Sequence, residues 1–189
     1  MKKFFTSKPE GLNERWPGEF TAVEGSWHGA LTGLTSVLFV VTGWKSNGKE
    51  NACLQSTAAF SGSYGEYTCI LGWVHTQGHM YKSLKETGCC VLNFFTADLK
   101  EKCFDTIKNN GFDTDEITAS GLTAEKAESV NAPRIKECLL NIECTYLWEH
   151  KLTPDNPDLV VVALKAVGIC ADDKYVSAEN KAEWLEYWE

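Results

Sequence analysis

Four stretches rich in apolar and β-branched residues limit most strongly what this chain can fold into. They are SVLFVVTGW (36–44), GEYTCILGWV (65–74), CCVLNFF (89–95) and DLVVVALKAVGICA (158–171). Runs of this length and composition are typical of buried β-strands. The dipeptide Asn47-Gly48 follows the first run and is a strong hairpin signal, so residues 51–59 are predicted to form the return strand. The sequence therefore predicts a mainly β fold built from hairpins.

A sixth strand is predicted from alternation rather than from a continuous apolar run. Between residues 134 and 150, one face collects Cys138, Leu140, Ile142, Cys144 and Tyr146. A period of two over this length indicates one long, half-buried strand. The turn-forming sequence TPDNPD (153–158) then leads into the last apolar run.

Helical spacing interrupts the strand pattern in two places, residues 75–88 and 97–110. The apolar residues that share a helical face are Met80 and Leu84 in the first segment, and Leu99, Cys103 and Ile107 in the second. Gly88 is the predicted C-cap of the first helix and Thr96 the predicted N-cap of the second. Residues 113–121 predict a short helix or turn. The hairpin connections favour an antiparallel sheet closed into a barrel, with the helices packed outside it.

Composition and charge exclude several classes of function. The chain has 189 residues, a length that favours one domain, and its net charge of −8 comes without a basic block, which disfavours binding to nucleic acid. No apolar run reaches the length of a membrane span. The first ten residues lack the apolar region of a secretory signal, so we expect a cytoplasmic protein.

Eight cysteines are a high number for this length. None belongs to a C-x-x-C pair, and none shares metal-site spacing with a histidine. Because most lie within apolar runs, we interpret them as reduced, buried thiols, with a redox disulfide as the alternative. Cys89 and Cys90 point to opposite faces of their predicted strand, which argues against a bond between them.

The return strand carries unusually many hydrogen-bonding side chains for an element next to a core. In a single strand, Asn51, Cys53, Gln55 and Thr57 share one face. This pattern has two interpretations. The polar face lies in solvent, or it lines a groove in which amides and main-chain groups bind the edge of a flat polar heterocycle.

The start of the first predicted helix, HTQGHM (75–80), is a second candidate site. A helix N-terminus offers free N–H groups to an anion, and phosphate is the commonest such ligand. Gly78 permits close approach of a ligand to the backbone, and His75 and His79 add donors or positive charge. The alternative is an ordinary helix capped by Thr76.

The order of these elements and four local stretches resemble the flavin reductase-like family of FMN-binding split barrels, which includes flavoredoxins. The four stretches are GKENACLQST (48–57), HTQGHMYKSLKETGCCVLNFF (75–95), NGFDTDEITASGLT (110–123) and VNAPRIKECLLNIEC (130–144). Residues that match the family pattern include Asn51, Ser56, Gln77, Tyr81, Lys85, Glu86, Gly88, Asn93, Gly111, Asp113, Asp115, Gly121, Leu122 and Thr123. The resemblance extends from about Ser36 to about Tyr175.

The resemblance implies a split β-barrel of the Greek-key type at residues 36–175, preceded by a cover segment (1–35) and followed by an acidic helical tail (176–189). It implies an FMN-binding homodimer whose flavin lies near the subunit interface, with NADH or NADPH as a second ligand. The isoalloxazine would lie along residues 54–57, the phosphate at the turn of residues 75–81, and residues 111–117 would complete the pocket. The cofactor-binding residues implied are Asn51, Leu54, Gln55, Ser56, Thr57, His75, Gln77, Gly78, His79, Met80, Tyr81 and Asp115. No catalytic side chain is predicted, because the flavin itself carries the redox chemistry.

Three departures from the family pattern keep the function open. Gly78 stands where an arginine is expected near the phosphate, Met80 replaces a threonine, and Glu116 replaces a lysine. The first hypothesis is a flavin reductase that takes electrons from NADH or NADPH, and the second is an electron carrier of the flavoredoxin kind. The third is a split-barrel binding protein that has lost flavin. Trp27 and Trp73 are candidate stacking groups, although both are expected in the core.

Overall fold

The computed structural model describes residues 4, 6–7, 9–11 and 37–173. The chain divides into two compact units, residues 1–36 and 37–189, and the following account concerns the second. The predicted cover segment with Trp27, and the predicted acidic helical tail after residue 175, lie outside the described residues. The domain boundaries therefore stay predictions.

Nine strands and three α-helices make up the described part of the chain. The strands are β1 (Phe39–Trp44), β2 (Glu50–Gln55), β3 (Ala58–Ser63), β4 (Glu66–His75), β5 (Cys89–Phe94), β6 (Ala124–Lys126), β7 (Pro133–Ile135), β8 (Leu140–Thr153) and β9 (Asn156–Ala171). The helices are α1 (His79–Thr87), α2 (Lys100–Lys108) and α3 (Glu116–Ala119), and a 3₁₀ turn at Ala97–Leu99 precedes α2. Seven strands form one sheet in the order β2-β1-β5-β8-β9-β4-β3, and β6 pairs with β7. All pairs are antiparallel, as the hairpin signals predict.

The two edges of the large sheet, β2 and β3, are consecutive in the chain, so the sheet must curl to bring them together. The Gly72 N–H of β4 donates to the Thr57 carbonyl between them at 2.9 Å. A Cβ atom at residue 72 would lie 2.7 Å from Cγ2 of Thr57, so only glycine permits this approach. Inside the curl, the Phe60 ring lies 6.1 Å from Phe39 and 5.7 Å from Phe94. The fold is the split β-barrel that the sequence predicts.

Alternate residues of β1 pack in two different hydrophobic clusters. Phe39 and Val41 of β1 pack inside the barrel with Leu71, Leu92 and Leu164, whereas Val40, between them, faces the other way. The second cluster joins Val40 to side chains of α2, α3 and the following segments: Leu99, Cys103, Ile117, Leu122, Ile135 and Cys138. The strand period of two thus fixes which apolar residues meet the helices.

The predicted hairpin between β1 and β2 is confirmed. Gly48 has a φ of 78°, and its N–H donates to the Lys45 carbonyl at 2.8 Å. The predicted return strand is longer than the observed one. It ends at Gln55, and residues 58–63 form β3, which pairs with β4 instead. Ser56 and Thr57 therefore lie in the connection between the two sheet edges.

The helix ends agree with the sequence in part. Gly88 is the C-cap of α1, and its N–H donates to the Leu84 carbonyl at 2.9 Å. The predicted cap Thr76 is wrong, because α1 begins at His79 with Gly78 as its N-cap, and the Thr76 hydroxyl contacts Asp158 at 3.3 Å. Thr96 precedes the 3₁₀ turn, but its hydroxyl bonds to Asp98 rather than to a backbone N–H.

The predicted long strand over residues 134–150 is divided in the structure into β7 and β8. A buried amide explains the division, because Oδ1 of Asn93 accepts the Ile135 N–H and the Asn141 side-chain amide, both at 2.8 Å. These bonds hold β7 across the sheet instead of in line with β8. Cys138, in the turn between them, consequently packs in the helix-side cluster and not with Ile142 and Cys144.

The cysteines pack as the apolar runs predict. Six of the eight are buried, and Cys53 and Cys170 are half-buried. Cys90 belongs to the barrel core, whereas Cys89 packs with Ala127 and Ala132, so the pair does point to opposite faces. Burial raises the pKa of the Cys69 and Cys144 thiols to about 12.

Candidate flavin site

A cleft of about 270 Å³ lies where β2, the end of β4, the start of α1 and the end of α2 meet. Its walls mix amides, imidazoles and apolar groups. The lining residues are Asn51, Ala52, Cys53, Leu54, Gln55, Trp73, His75, Gly78, His79, Met80, Tyr81, Thr106, Ile107 and Asn110. The two segments that the sequence singled out, the polar strand and the helix start, therefore do meet at one cleft.

Strand β2 forms one wall of the cleft. Asn51 is buried, and Leu54 and Gln55 are half-buried. Between them lies Cys53, whose Sγ is 3.6 Å from Nε2 of Gln55. Burial raises the pKa of the Cys53 thiol above its usual range. Because the strand ends at Gln55, the exposed residues Ser56 and Thr57 lie beyond the cleft wall.

The start of α1 forms the opposite wall. Gly78, His79, Met80 and Tyr81 line the cleft, whereas Gln77 is exposed and lies outside it. No acidic residue occupies the first turn of the helix. The free N–H groups of a first helical turn carry partial positive charge, so this wall favours an anion.

Gly78 allows a tight turn at this wall. A Cβ atom at residue 78 would lie 3.2 Å from the His75 carbonyl oxygen, closer than side chains normally come. His75, at the end of β4, is exposed and reaches the same cleft. The glycine therefore allows the chain to turn tightly from β4 into α1, where the Gly78 N–H donates to the His75 carbonyl at 3.0 Å.

Trp73 corrects the expectation that this side chain belongs to the core. It lies at an irregularity of β4, where the register with β9 shifts between Leu71 and Val74. Its φ is 51°, and the side chain is 58% exposed. The irregularity turns the indole out of the barrel and onto the cleft.

Tyr81 connects the cleft to polar groups on β8. Its hydroxyl donates to Oε1 of Glu149 at 2.8 Å. Burial, and then the Glu149 hydrogen bond, raise the pKa of Tyr81. Lys85 lies 3.4 Å from the other Glu149 oxygen and 4.4 Å from the Tyr146 ring centroid. These contacts fix the Tyr81 ring in the cleft wall.

Asp115, predicted from the resemblance, lies outside the cleft. Its carboxylate accepts from Lys49 at 2.7 Å and from the Glu50 N–H at 3.2 Å. The Lys49 hydrogen bond is the main reason why the pKa of Asp115 lies below its usual range. In this chain Asp115 joins the segment before α3 to the β1–β2 turn.

A buried ion pair behind the α1 wall was not anticipated from the sequence. Nζ of Lys45 lies 2.7 Å from Oε1 of Glu116, and the two side chains are 1% and 0% exposed. The other Glu116 oxygen accepts the Ala52 N–H at 2.6 Å. Glu116, which stands where the family has a lysine, is therefore neutralised by a lysine from another part of the chain.

The end of α2 is the contribution that the sequence did not indicate. Thr106 is buried, while Ile107 and Asn110 are exposed on the cleft. The helical stripe that contains Ile107 was expected to face the core, but its last residue is 44% exposed. Nothing in the local spacing distinguishes a core contact from a cleft contact.

Among residues 37–173 and the few described before them, no group of three or more histidine, cysteine, aspartate or glutamate side chains could hold a metal ion. Within that same part of the chain, no helix has the length and apolar character needed to cross a membrane.

Comparison with known proteins identifies the family. The model of the flavin reductase like domain matches residues 31–185, so the chain belongs to the flavin reductase-like family of flavin-related oxidoreductases. A search of the curated proteins found no match.

Several solved structures share the fold. Nitrilotriacetate monooxygenase component B from Bacillus cereus is similar with a TM-score of 0.74 at 19% identity, over 94% of this chain and 90% of that one. Flavoredoxin of Desulfovibrio vulgaris gives 0.65 at 17% identity, over 76% and 74%. The NADH:FAD oxidoreductase of Streptomyces globisporus gives 0.65 at 12% identity, over 84% and 90%.

Proposed function

We propose that this chain binds FMN in the cleft and transfers electrons from NADH or NADPH, or from a redox partner, through the bound flavin. The single observation that carries the proposal is the cleft itself. It joins a wall of amides and apolar groups to a helix start, and its lining contains no carboxylate among the described residues. A flat heterocycle suits the first wall and a phosphate suits the second.

The residues present fit a flavin mononucleotide in their charge. His75 and His79 line the cleft beside a helix start whose first turn holds no acidic residue. The phosphate carries about two negative charges near neutral pH. Because Lys45 neutralises Glu116, the nearest carboxylate behind this wall does not repel it.

Each wall then has its own task. Asn51, Gln55 and the β2 backbone would hold the edge of the isoalloxazine, and Trp73 would cover one face of the ring. The α1 start with His75 and His79 would hold the phosphate. When bound, the flavin supplies the electron chemistry, while these residues orient it and exclude water.

The homodimer implied by the resemblance belongs to the same proposal, as does a cytoplasmic location. The resemblance implies that residues 111–117 complete a flavin pocket, either in their own subunit or in the partner subunit. In this structure the segment contacts its own β1–β2 turn, because Lys45 donates to the carbonyls of Gly111 and Thr114, both at 2.7 Å. Phe112 and Asp113 of this segment are exposed, and we propose that they face the flavin of a partner subunit.

Equilibrium binding and turnover test the proposal. The purified protein is titrated with FMN and with FAD, followed by flavin fluorescence and thermal unfolding, and then mixed with NADH or NADPH. Ligand at one hundred times its Kd should stabilise the protein by about 2.7 kcal/mol. Fast oxidation of a dinucleotide identifies a reductase, whereas slow oxidation with fast reoxidation by a redox protein identifies a carrier.

A split-barrel binding protein without flavin is the second candidate function. Gly78 stands where the family pattern has an arginine near the phosphate. Met80, which is 6% exposed, replaces a threonine and cannot donate a hydrogen bond. A colourless protein whose unfolding temperature does not respond to FMN or FAD would support this candidate and would contradict the first.

A further inference from the structure

His79 stands between the cleft and the buried ion pair. It is the first residue of α1, lines the cleft, and is 26% exposed. Its Nδ1 atom lies 3.7 Å from Oε1 of Glu116 and has no hydrogen-bond partner. The same Glu116 oxygen is 2.7 Å from Nζ of Lys45. One carboxylate oxygen is therefore shared between a fixed cation and an imidazole.

The carboxylate of Glu116 has little freedom to move away from His79. Its second oxygen accepts the Ala52 N–H of β2 at 2.6 Å. The Lys45 ammonium, in turn, donates to two carbonyls of the segment before α3. On its other side the His79 ring makes an edge contact with Phe112, with 5.8 Å between centroids. The imidazole is thus held at a defined distance from a defined oxygen.

The charges around His79 favour a cation there when an anion enters the cleft. Glu116 faces it from α3, Lys45 from the end of β1, and His75 lines the same cleft from the end of β4. Lys45 and Glu116 cancel each other in net charge. A protonated imidazole has two N–H donors, so Nδ1–H can bind Glu116 while Nε2–H is left for a ligand.

We propose that His79 supplies the cationic contact to the phosphate of the flavin, and that Glu116, held by Lys45, is the positioning residue that stabilises the protonated imidazole. This inference rests on the proposed function, since it concerns the same cleft. In the family pattern an arginine occupies the position of Gly78. We propose that His79 makes the phosphate contact in its place. The proposal predicts that binding of the dianionic phosphate is accompanied by net proton uptake, which is the quantity tested below.

The test compares FMN with riboflavin, which lacks the phosphate. Affinities are measured for the wild type, His79→Gln and the control His150→Gln, which alters an exposed histidine of β8 outside the cleft lining. Calorimetry in two buffers of different ionisation enthalpy gives the protons taken up on binding. Since a charged hydrogen bond is lost, we expect His79→Gln to bind FMN about tenfold to one hundredfold more weakly.

Riboflavin affinity should change by less than about threefold in the same variant, because the ring contacts remain. The proton uptake that accompanies FMN binding to the wild type should disappear in His79→Gln and persist in His150→Gln. Glu116→Gln retains an oxygen for the Ala52 N–H but removes the charge. It should lose the proton uptake although His79 is intact, which a purely structural role would not produce.

Several outcomes would overturn the inference. FMN affinity and proton uptake that are unchanged in His79→Gln would do so, as would an equal loss for FMN and riboflavin. A loss that appears in His75→Gln instead would assign the contact to the other histidine. If Glu116→Gln does not fold, the His79→Gln comparison alone decides. If the wild type binds neither flavin, the proposed function itself fails, whereas intact binding with no dependence on His79 overturns only the present inference.

Discussion

Trp73 combines an unfavourable backbone conformation with an exposed aromatic ring at the edge of the cleft. A φ of 51° lies in the left-handed region that large side chains rarely adopt. The conformation costs about 1–2 kcal/mol for an L-residue. Strain of this kind is found preferentially at functional sites, where the surrounding structure maintains it. Trp73 thus keeps a strained backbone conformation at the cleft, as we expect of a residue that contacts a ligand.

Replacing this residue should separate stability from binding. In Trp73→Gly the left-handed conformation is no longer strained, so the free energy of unfolding should exceed that of Trp73→Ala by about 1 kcal/mol. FMN affinity should fall by roughly tenfold, as expected when an aromatic stacking contact is lost. Urea unfolding and fluorescence titration measure the two quantities. The control is Tyr64→Gly, which changes an exposed aromatic residue with a φ of 52° outside the cleft lining, and equal FMN affinity in both variants would contradict the stacking role.

Cys53 offers a chemical probe of the occupied cleft. Because burial raises the pKa of its thiol above the ordinary value of 9.0, little thiolate forms at neutral pH. Labelling of Cys53 by iodoacetamide should therefore be slow at neutral pH and should accelerate as the pH rises above that value. FMN should protect Cys53 without protecting Cys170, a half-buried cysteine of β9 outside the cleft. Peptide mass spectrometry gives both rates, and equal protection of both cysteines would place the flavin elsewhere.

At the scale of elements, the β1–β2 turn holds the segment before α3. Three side chains of the turn make the contact. Lys45 reaches Gly111 and Thr114, Lys49 pairs with Asp115, and Nδ2 of Asn47 donates to the Phe112 carbonyl at 3.0 Å. The turn thus positions Glu116 and, through it, the α1 wall of the cleft.

Lys45 should be the most costly residue of this turn to replace. In Lys45→Met the Glu116 carboxylate stays buried without its cation, a situation that typically destabilises a protein by about 3–5 kcal/mol. Addition of Glu116→Gln should recover part of the loss, because the buried charge is then removed. Lys49→Met, in an exposed pair, is the matched control and should cost far less. Urea denaturation gives the values, and an equal cost for the two lysines would contradict the assignment.

The pair of Lys49 and Asp115 should show a characteristic dependence on pH. Its hydrogen bond from Lys49 lowers the pKa of Asp115 in the folded protein. The pair therefore stabilises the fold fully at pH values above the unfolded pKa of Asp115, which is about 3.8. This stabilisation is lost as the pH falls through the lower pKa of the folded protein. The unfolding temperature of Asp115→Asn should therefore lie below that of the wild type at neutral pH and approach it in acid. A gap that does not narrow as the pH falls below the unfolded value would show another cause.

At the scale of the whole molecule, the outer face of the sheet carries exposed apolar side chains. Ile70 is 39% exposed and Trp148 is 43% exposed, and both lie opposite Ala163 in neighbouring strand pairs. Contiguous apolar surface of this kind marks an interface more often than an isolated exposed residue does.

The implied homodimer can be tested on this face. We expect the protein to sediment as a dimer, and we expect Ile70→Glu and Trp148→Glu to shift it towards the monomer, since a charge would be buried at the contact. Val37→Glu, at an exposed position before β1, serves as the control. Sedimentation equilibrium measures the mass. A monomeric wild type would contradict the dimer, and a loss of dimer in the control alone would place the interface elsewhere.

The sequence predicted the elements better than it predicted their interruptions. Strand runs, the Asn47-Gly48 hairpin and the Gly88 cap depend on neighbouring residues, and local patterns report them reliably. The division at Cys138 depends on Asn93, whose amide takes the Ile135 N–H across the sheet. β2 ends at Gln55 because the chain then leaves β1, and residues 58–63 pair with β4 instead. These contacts join residues that are far apart in sequence, so the periodic pattern of neighbouring residues does not reveal them.

The site was predicted in the same uneven way. Eight of the twelve residues implied by the resemblance line the cleft, while Ser56, Thr57, Gln77 and Asp115 do not. The polar residues of β2 and the helix start indicated the two walls, but consecutive residues 51–55 line the cleft, and not only the alternate residues of one strand face. Trp73 was assigned to the core, since its apolar neighbours in β4 conceal the register shift that turns it outward.

The amino-acid sequence by itself determined the antiparallel strands, the hairpins and the membership of the flavin reductase-like family, because hydrophobic period, turn chemistry and motif order are properties of consecutive residues. Only the tertiary structure decided that the end of α2 joins the cleft, that Trp73 faces it, and that Lys45 cancels the charge of Glu116. These relations arise when a curled sheet brings distant segments together, and burial then makes each unpaired charge or donor costly enough to require its partner.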